Sequence, residues 1–157
     1  MADTNEQQPL FSIEKLYLKD ASFESPNAPT VFQTTVQPTI EVDINLNTQQ
    51  VAEALHAVEL TLTCTAKSAA AQDREEDGQT LFLVEVVQGG LFTLRHIRAQ
   101  DQGPLLGIEC PNILFPYARQ MVSSLTANGG FQPLLLNPVN FAAMYRARQD
   151  QQPAEPA

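Results

Sequence analysis

The 157-residue chain has no Trp, two Cys, two His and seven Gly, and sets nine Lys and Arg against 18 Asp and Glu. Each shortage excludes something. Cys64 and Cys110 show no CxxC spacing, so neither a disulfide framework nor a zinc ribbon can be read, and a reducing, cytosolic compartment fits best. A formal charge of −9 lacks the clustered cations that phosphates require. Nucleic acid is therefore not expected as a partner, and neither is an anionic membrane surface. No run approaches the roughly 18 apolar residues of a membrane span, so direct membrane insertion is not expected. The start, MADTNEQQP, has neither the basic region nor the apolar segment of a signal peptide, and nothing in it suggests export of this chain.

What is present is 43% hydrophobic, enough for one core and one domain. Residues 1–8 read as a disordered N-terminal tail, 9–148 as a single domain and 149–157 as a disordered C-terminal tail. The first strand is expected over Leu10–Ala21. Its apolar phase shifts between Phe11/Ile13 and Leu16/Leu18, which either a bulge or a strand buried partly on each face would explain. In 39–47, Ile40, Val42, Ile44 and Leu46 alternate with polar residues. In 55–67, His56, Val58, Leu60, Leu62, Cys64 and Ala66 do the same. Such alternation marks antiparallel strands with one wet face. Residues 68–79 form a charged turn, and TLFLVEVVQGGLF (80–92) is apolar on both faces, with Gly89-Gly90 expected to end or bulge the strand.

The period then changes. From Asn112, Leu114, Tyr117/Ala118, Met121/Val122 and Leu125 recur at helical spacing, with Pro116 near the first turn and Asn128-Gly129-Gly130 as the stop. Ile113, Leu114 and Phe115 leave this end without a polar face, which predicts a subunit interface through Cys110, Ile113, Leu114, Tyr117 and Met121. After FQPLLL, Asn137-Pro138 reads as N-cap and first residue of a short helix. Strands first and helices after predict an α+β fold: a four-stranded antiparallel sheet with a long and a short helix on one side.

Catalytic chemistry is not legible. There is no nucleophile elbow, Walker loop, dinucleotide fingerprint or HExxH helix. His56 falls on an apolar strand face and reads as a core or interface imidazole; His96 reads as a surface residue between Arg95 and Arg98. No metal site and no cofactor are expected. A Cys–His enzyme at Cys110 would need a base that the neighbouring sequence does not offer.

Three features point to binding. SFESPNAPTVFQ (22–33) is a proline-stiffened loop that carries Phe23, Val31 and Phe32, which either pin the loop down or line a groove. GGFQPLLLNPVNF (129–141) puts Phe131, Leu134, Leu135, Leu136, Val139 and Phe141 into one connection, more apolar residues than local packing needs. Asp20, Glu24 and Glu85 are acids able to steer a basic partner if the fold brings them together.

At LKDASFESPNAPTVFQ (18–33), VEVVQGGLF (84–92), CPNILFPYARQMVSSL (110–125) and GGFQPLLLNPVNFAAMY (129–145), the chain resembles the SecB protein-export chaperones. The resemblance implies a bacterial cytoplasmic homotetramer, a dimer of dimers. It further implies an ATP-independent holdase for unfolded precursor proteins that delivers them to the SecA motor ATPase. Carried over by position, Asp20, Glu24, Leu83 and Glu85 would dock the motor. Val31, Phe32, Phe131, Leu134, Phe141 and Tyr145 would line the client groove. Two departures stand out: many relatives carry a Trp where this chain has Val36, and the 68–79 hairpin is long and charged. The alternative reading is an acidic cytosolic adaptor without client-holding activity.

Overall fold

A computed structural model of the chain describes residues 8–33, 37–68 and 78–151. Val36 and nearly all of the charged 68–79 turn lie outside them. Four long strands, β1 (Leu10–Glu24), β2 (Pro38–Ala52), β3 (Leu55–Ser68) and β4 (Thr80–Arg95), form one antiparallel sheet in the order β1-β4-β3-β2. Three helices follow: α1 (Ala99–Pro104), α2 (Cys110–Asn128) and α3 (Phe141–Gln151). This is the expected α+β layout of one antiparallel sheet with a long and a short C-terminal helix.

The alternation sets the faces. Val58, Leu60, Leu62, Cys64 and Ala66 of β3 are fully buried and meet Val84, Val86 and Phe92 of β4 under Leu114, Ala118 and Val122 of α2. Each fully buried large aliphatic or aromatic side chain contributes about 1.5–3 kcal/mol of transfer free energy. The phase shift in β1 is real: register slips between Ile13 and Lys15 and again between Leu18 and Asp20. Phe11, Leu16 and Phe23 thereby pack onto the core.

Three expectations need correction. Gly89 and Gly90 neither end nor bulge β4, whose pairing runs through them to Arg95 on the β1 side and to Thr93 on the β3 side. They are small for a packing reason: the Tyr17 ring lies over Gly89, and a methyl on Gly90 would stand 2.6 Å from the Phe92 ring and 3.1 Å from Leu114. The helix does not wait for Asn112. It starts at Ala99 and passes through a π turn at Leu105–Glu109 before α2. Pro104, Pro111 and Pro116 each deny the helix an amide, and the wider turn sits between the first two. Gly103 and Gly107 disguise this stretch in the sequence, yet both lie against Tyr145, so packing overrides their poor helix propensity. Finally, α3 is capped by Asn140, whose Oδ1 accepts from the Ala143 amide at 3.0 Å, and not by Asn137. That helix also runs through 149–151, assigned by sequence to the tail, with Gln149 donating to the Tyr145 hydroxyl at 2.9 Å.

The stop after α2 is as read. The amides of Gly129, Gly130 and Phe131 turn back to carbonyls of the last helical turn, and Gly130 takes φ +92°, a conformation that favours glycine.

Candidate functional site

Two surfaces emerge, one on each side of the sheet. The first is apolar. Residues 131–140 run as an irregular strap between α2 and α3, held down at both ends. Thr126, buried in α2, accepts the Leu134 amide at 2.9 Å with its hydroxyl and the Phe131 amide at 3.1 Å with its carbonyl. At the other end Phe141 is buried against Phe115, ring centroids 6.0 Å apart. Between strap and sheet lies a cleft of about 360 Å³. Ile40, Val42 and Ile44 of β2 form one wall, Leu134, Leu135, Leu136 and Val139 of the strap the other, with Phe115 of α2 between them. Its walls are uncovered: Leu135 is 75% exposed and Val42 41%. Leaving such side chains in water costs free energy that an apolar guest would recover.

The strap leads into a cluster of four aromatic rings. Phe131 stands 5.0 Å from Phe82, 5.2 Å from Phe32 and 6.2 Å from Phe23, centroid to centroid. Phe32 closes the outer side and is 49% exposed. Tilted rings at these separations present both edges and faces to a guest.

The six groove residues named from sequence do not lie in one place. Phe32 and Phe131 belong to the aromatic cluster, and Leu134 to the cleft. Val31 and Phe141 are buried, because the loop and the start of α3 use them as anchors in the core. Tyr145 packs against Gly103 and Gly107, at the junction of α3 with the first helical turns. Ile40, Val42 and Ile44 were missed as groove residues. Their alternation was read as a core face, but the sheet's core is centred on β3 and β4, and β2 extends beyond α2. Five residues were expected at a subunit interface. Cys110 and Leu114 are fully buried within the single chain and reach no outer surface, whereas Ile113 and Met121 are half-buried and Tyr117 is 52% exposed.

The second surface is acidic, on the opposite face. Directly opposed residues of an antiparallel pair point to the same side. Asp20 faces Val87, Ser22 faces Glu85 and Glu24 faces Leu83, so Asp20, Glu24, Leu83 and Glu85 share one face at one end of the sheet. Glu85 is fixed by a hydrogen bond from the Thr63 hydroxyl at 3.2 Å. The same register continues through Thr63 to Asp43 and through Thr65 to Glu41, acids the sequence reading did not include. Further along the face, Lys19 at the second β1 bulge bonds Glu59 across β4 at 2.6 Å; that hydrogen bond is the main cause of an ammonium pKa raised above the usual lysine value.

Neither cysteine is set up as a nucleophile. Burial pushes the Cys110 thiol up to about 12 and the Cys64 thiol to about 11, the reverse of nucleophile activation. Among the described residues no cluster of His, Cys, Asp and Glu is placed to hold a metal ion, and no helix is long and apolar enough to cross a membrane.

Comparison with known proteins gives a consistent result. A family profile described as preprotein translocase subunit SecB matches residues 4–152. The protein-export protein SecB of Chromobacterium violaceum is 47% identical over 152 residues, covering 97% of this chain and 96% of the relative. That of Methylococcus capsulatus is 45% identical over 162 residues, covering 99% of each. Among solved structures, a SecB-like chaperone of Mycobacterium tuberculosis in complex with an antitoxin peptide has a TM-score of 0.66 at 16% identity. That alignment covers 82% of this chain and 90% of the other, and shows a shared fold.

Proposed function

The chain belongs to the SecB family, whose members are chaperones and not enzymes, and we propose that it is an ATP-independent holdase for unfolded precursor proteins. The observation that carries this is the uncovered cleft between β2 and the 131–140 strap. Its walls are apolar, and the strap that forms one of them also carries Phe131 of the Phe23/Phe32/Phe82/Phe131 cluster. A site of this composition takes extended apolar segments with little side-chain selectivity, as an unfolded client demands. Burial of about 25 cal/mol for each Å² of apolar surface supplies the affinity without any nucleotide.

The reading extends to assembly and delivery. A homotetramer, built as a dimer of dimers, would bring several clefts to one client and raise affinity by multivalency. Tyr117, with the half-buried Ile113 and Met121, is the exposed apolar ridge of α2 suited to packing against another copy. The acidic face carrying Asp20, Glu24, Leu83 and Glu85 is suited to the SecA motor ATPase through charge complementarity. The working unit is the domain 9–148 with its helical extension to 151, acting in the bacterial cytoplasm.

The test is light scattering from a slow-folding precursor diluted out of denaturant, with and without this protein and without nucleotide. Scattering suppressed at one tetramer per client is the expected result. Scattering that stays unchanged at that ratio overturns the holdase and leaves the acidic-adaptor reading.

A further inference from the structure

The strap that walls the apolar cleft has few polar ties to the rest of the molecule. From Phe131 to Val139, among the described residues, two backbone groups are hydrogen-bonded to protein: the amides of Phe131 and Leu134. Both bonds end on one residue, Thr126. Its carbonyl takes the first and its hydroxyl the second.

Thr126 is completely buried near the C-terminal end of α2. A buried hydroxyl costs free energy unless it is bonded. The helix alone meets that need, because the hydroxyl donates to the Val122 and Ser123 carbonyls, both at 3.0 Å. That shared donation uses the one hydroxyl proton. Toward the strap the oxygen is therefore an acceptor, and the Leu134 amide supplies the donor. A valine here would fill nearly the same space in α2 and leave that amide without its partner.

The two tied residues belong to the two halves of the apolar surface. Phe131 is the centre of the aromatic cluster, 5.0 Å from Phe82 and 5.2 Å from Phe32. Leu134 lines the cleft together with Ile40, Val42 and Ile44 of β2. The strap's apolar side chains Leu134, Leu136 and Val139 also pack toward the core, but such contacts are non-directional. The hydrogen bonds to Thr126 are what fix where the strap stands.

Resting on the holdase reading, we propose that Thr126 is a positioning residue for the client: through the Leu134 amide, its hydroxyl sets the distance of the strap from β2 and so the width of the cleft. Thr126 is buried and acts through the strap, without touching the client. When the hydroxyl is removed, the Leu134 amide turns to water and the wall moves outward. An outward shift of about 0.5–1 Å forfeits about a quarter to a half of each dispersion contact with a bound chain.

The test compares full-length wild type with Thr126→Val, Thr126→Ser and Val58→Ala. Val58 is fully buried on β3, four residues from Leu62, the partner of Ile44, so its truncation loosens the core away from the cleft. The probe is a fluorescein-labelled peptide of Leu, Val, Phe and Ser with a lysine at each end, followed by anisotropy. Thr126→Val should bind it about two- to tenfold more weakly, the worth of one hydrogen bond. Hydrogen exchange at the Leu134 amide should quicken in the same variant. The Phe131 amide, bonded to a backbone carbonyl that valine keeps, should change less. Thr126→Ser should restore both readouts, and Val58→Ala should lower the urea midpoint yet bind like wild type. Wild-type affinity in Thr126→Val, or an equal loss of binding in Val58→Ala, overturns the proposal and leaves the holdase standing. A wild-type chain that neither binds the peptide nor suppresses scattering overturns the holdase, and the proposal with it. If Thr126→Val fails to fold, Thr126→Cys, with its weakly accepting sulfur, replaces it under the same criteria.

Discussion

The two cysteines show how single residues are tied to the packing. Both are buried, and burial raises both thiols from the ordinary 9.0, to about 11 at Cys64 and about 12 at Cys110. The folded chain holds those protons where the unfolded chain would release them. Stability is therefore undiminished below about pH 9 and falls as pH climbs from there toward the folded-state values. At pH 8 the thiolate fractions are about 100-fold and 1,000-fold below that of a free thiol, so iodoacetamide should leave both residues unmodified in the native protein and label both in urea. Mass spectrometry after a timed quench reads the result, and rapid native labelling of either would contradict the buried placement. Gly90 makes the same point through space rather than charge. Gly90→Ala pushes a methyl onto the Phe92 ring and against Leu114, both fully buried, and should cost about 1–3 kcal/mol. The urea midpoint at fixed protein concentration measures it. A sequence reader sees Gly-Gly in a strand and expects a break, because the Tyr17 and Phe92 rings that require the glycines belong to tertiary structure.

At the scale of elements, the strands were legible and the first half of the helical region was not. β2 and β3 announce themselves by alternation, and of the two explanations for the slipped phase of β1 the register selects the bulges. The helix from Ala99 was hidden by Gly103, Pro104 and Gly107, and both glycines pack against Tyr145. The candidate site was half legible for a related reason. The strap at 129–141 stood out because so many apolar residues have no periodic partner there. Its opposite wall did not, since Ile40 and Val42 repeat like core residues and only the reach of β2 past α2 uncovers them. That wall gives the cleanest separation of function from folding. Leu135→Ser alters a side chain that is 75% exposed and Val42→Ser one that is 41% exposed, so stability should change by no more than about 0.5 kcal/mol at Leu135 and by about 1 kcal/mol at Val42. Each removes part of the cleft's apolar lining and should weaken client holding several-fold in the scattering assay, and the double variant more so. Full protection by the double variant would remove the cleft from the mechanism.

On the scale of the whole molecule, the acidity acquires a position. Four chains of −9 would carry −36 formally, enough to keep a particle with open apolar clefts away from its own copies. The sheet would keep the two proposed tasks apart: the apolar cleft opens on the helix side, and Asp20, Glu24, Glu85, Asp43 and Glu41 share the outer face. A motor drawn to the outer face need not compete with a client held on the other. Asp20→Ala or Glu24→Ala should therefore weaken SecA binding while leaving client holding unchanged. Because the interaction is long-range, the association rate should fall by roughly an order of magnitude at low salt. Most of that difference should vanish when ionic strength brings the Debye length to about 3 Å. Stopped-flow mixing with the motor gives the rates, calorimetry the affinities, and the scattering assay the control. Motor affinity unchanged at low salt would detach the acidic face from docking, and lost client protection would mean that the two faces are not independent.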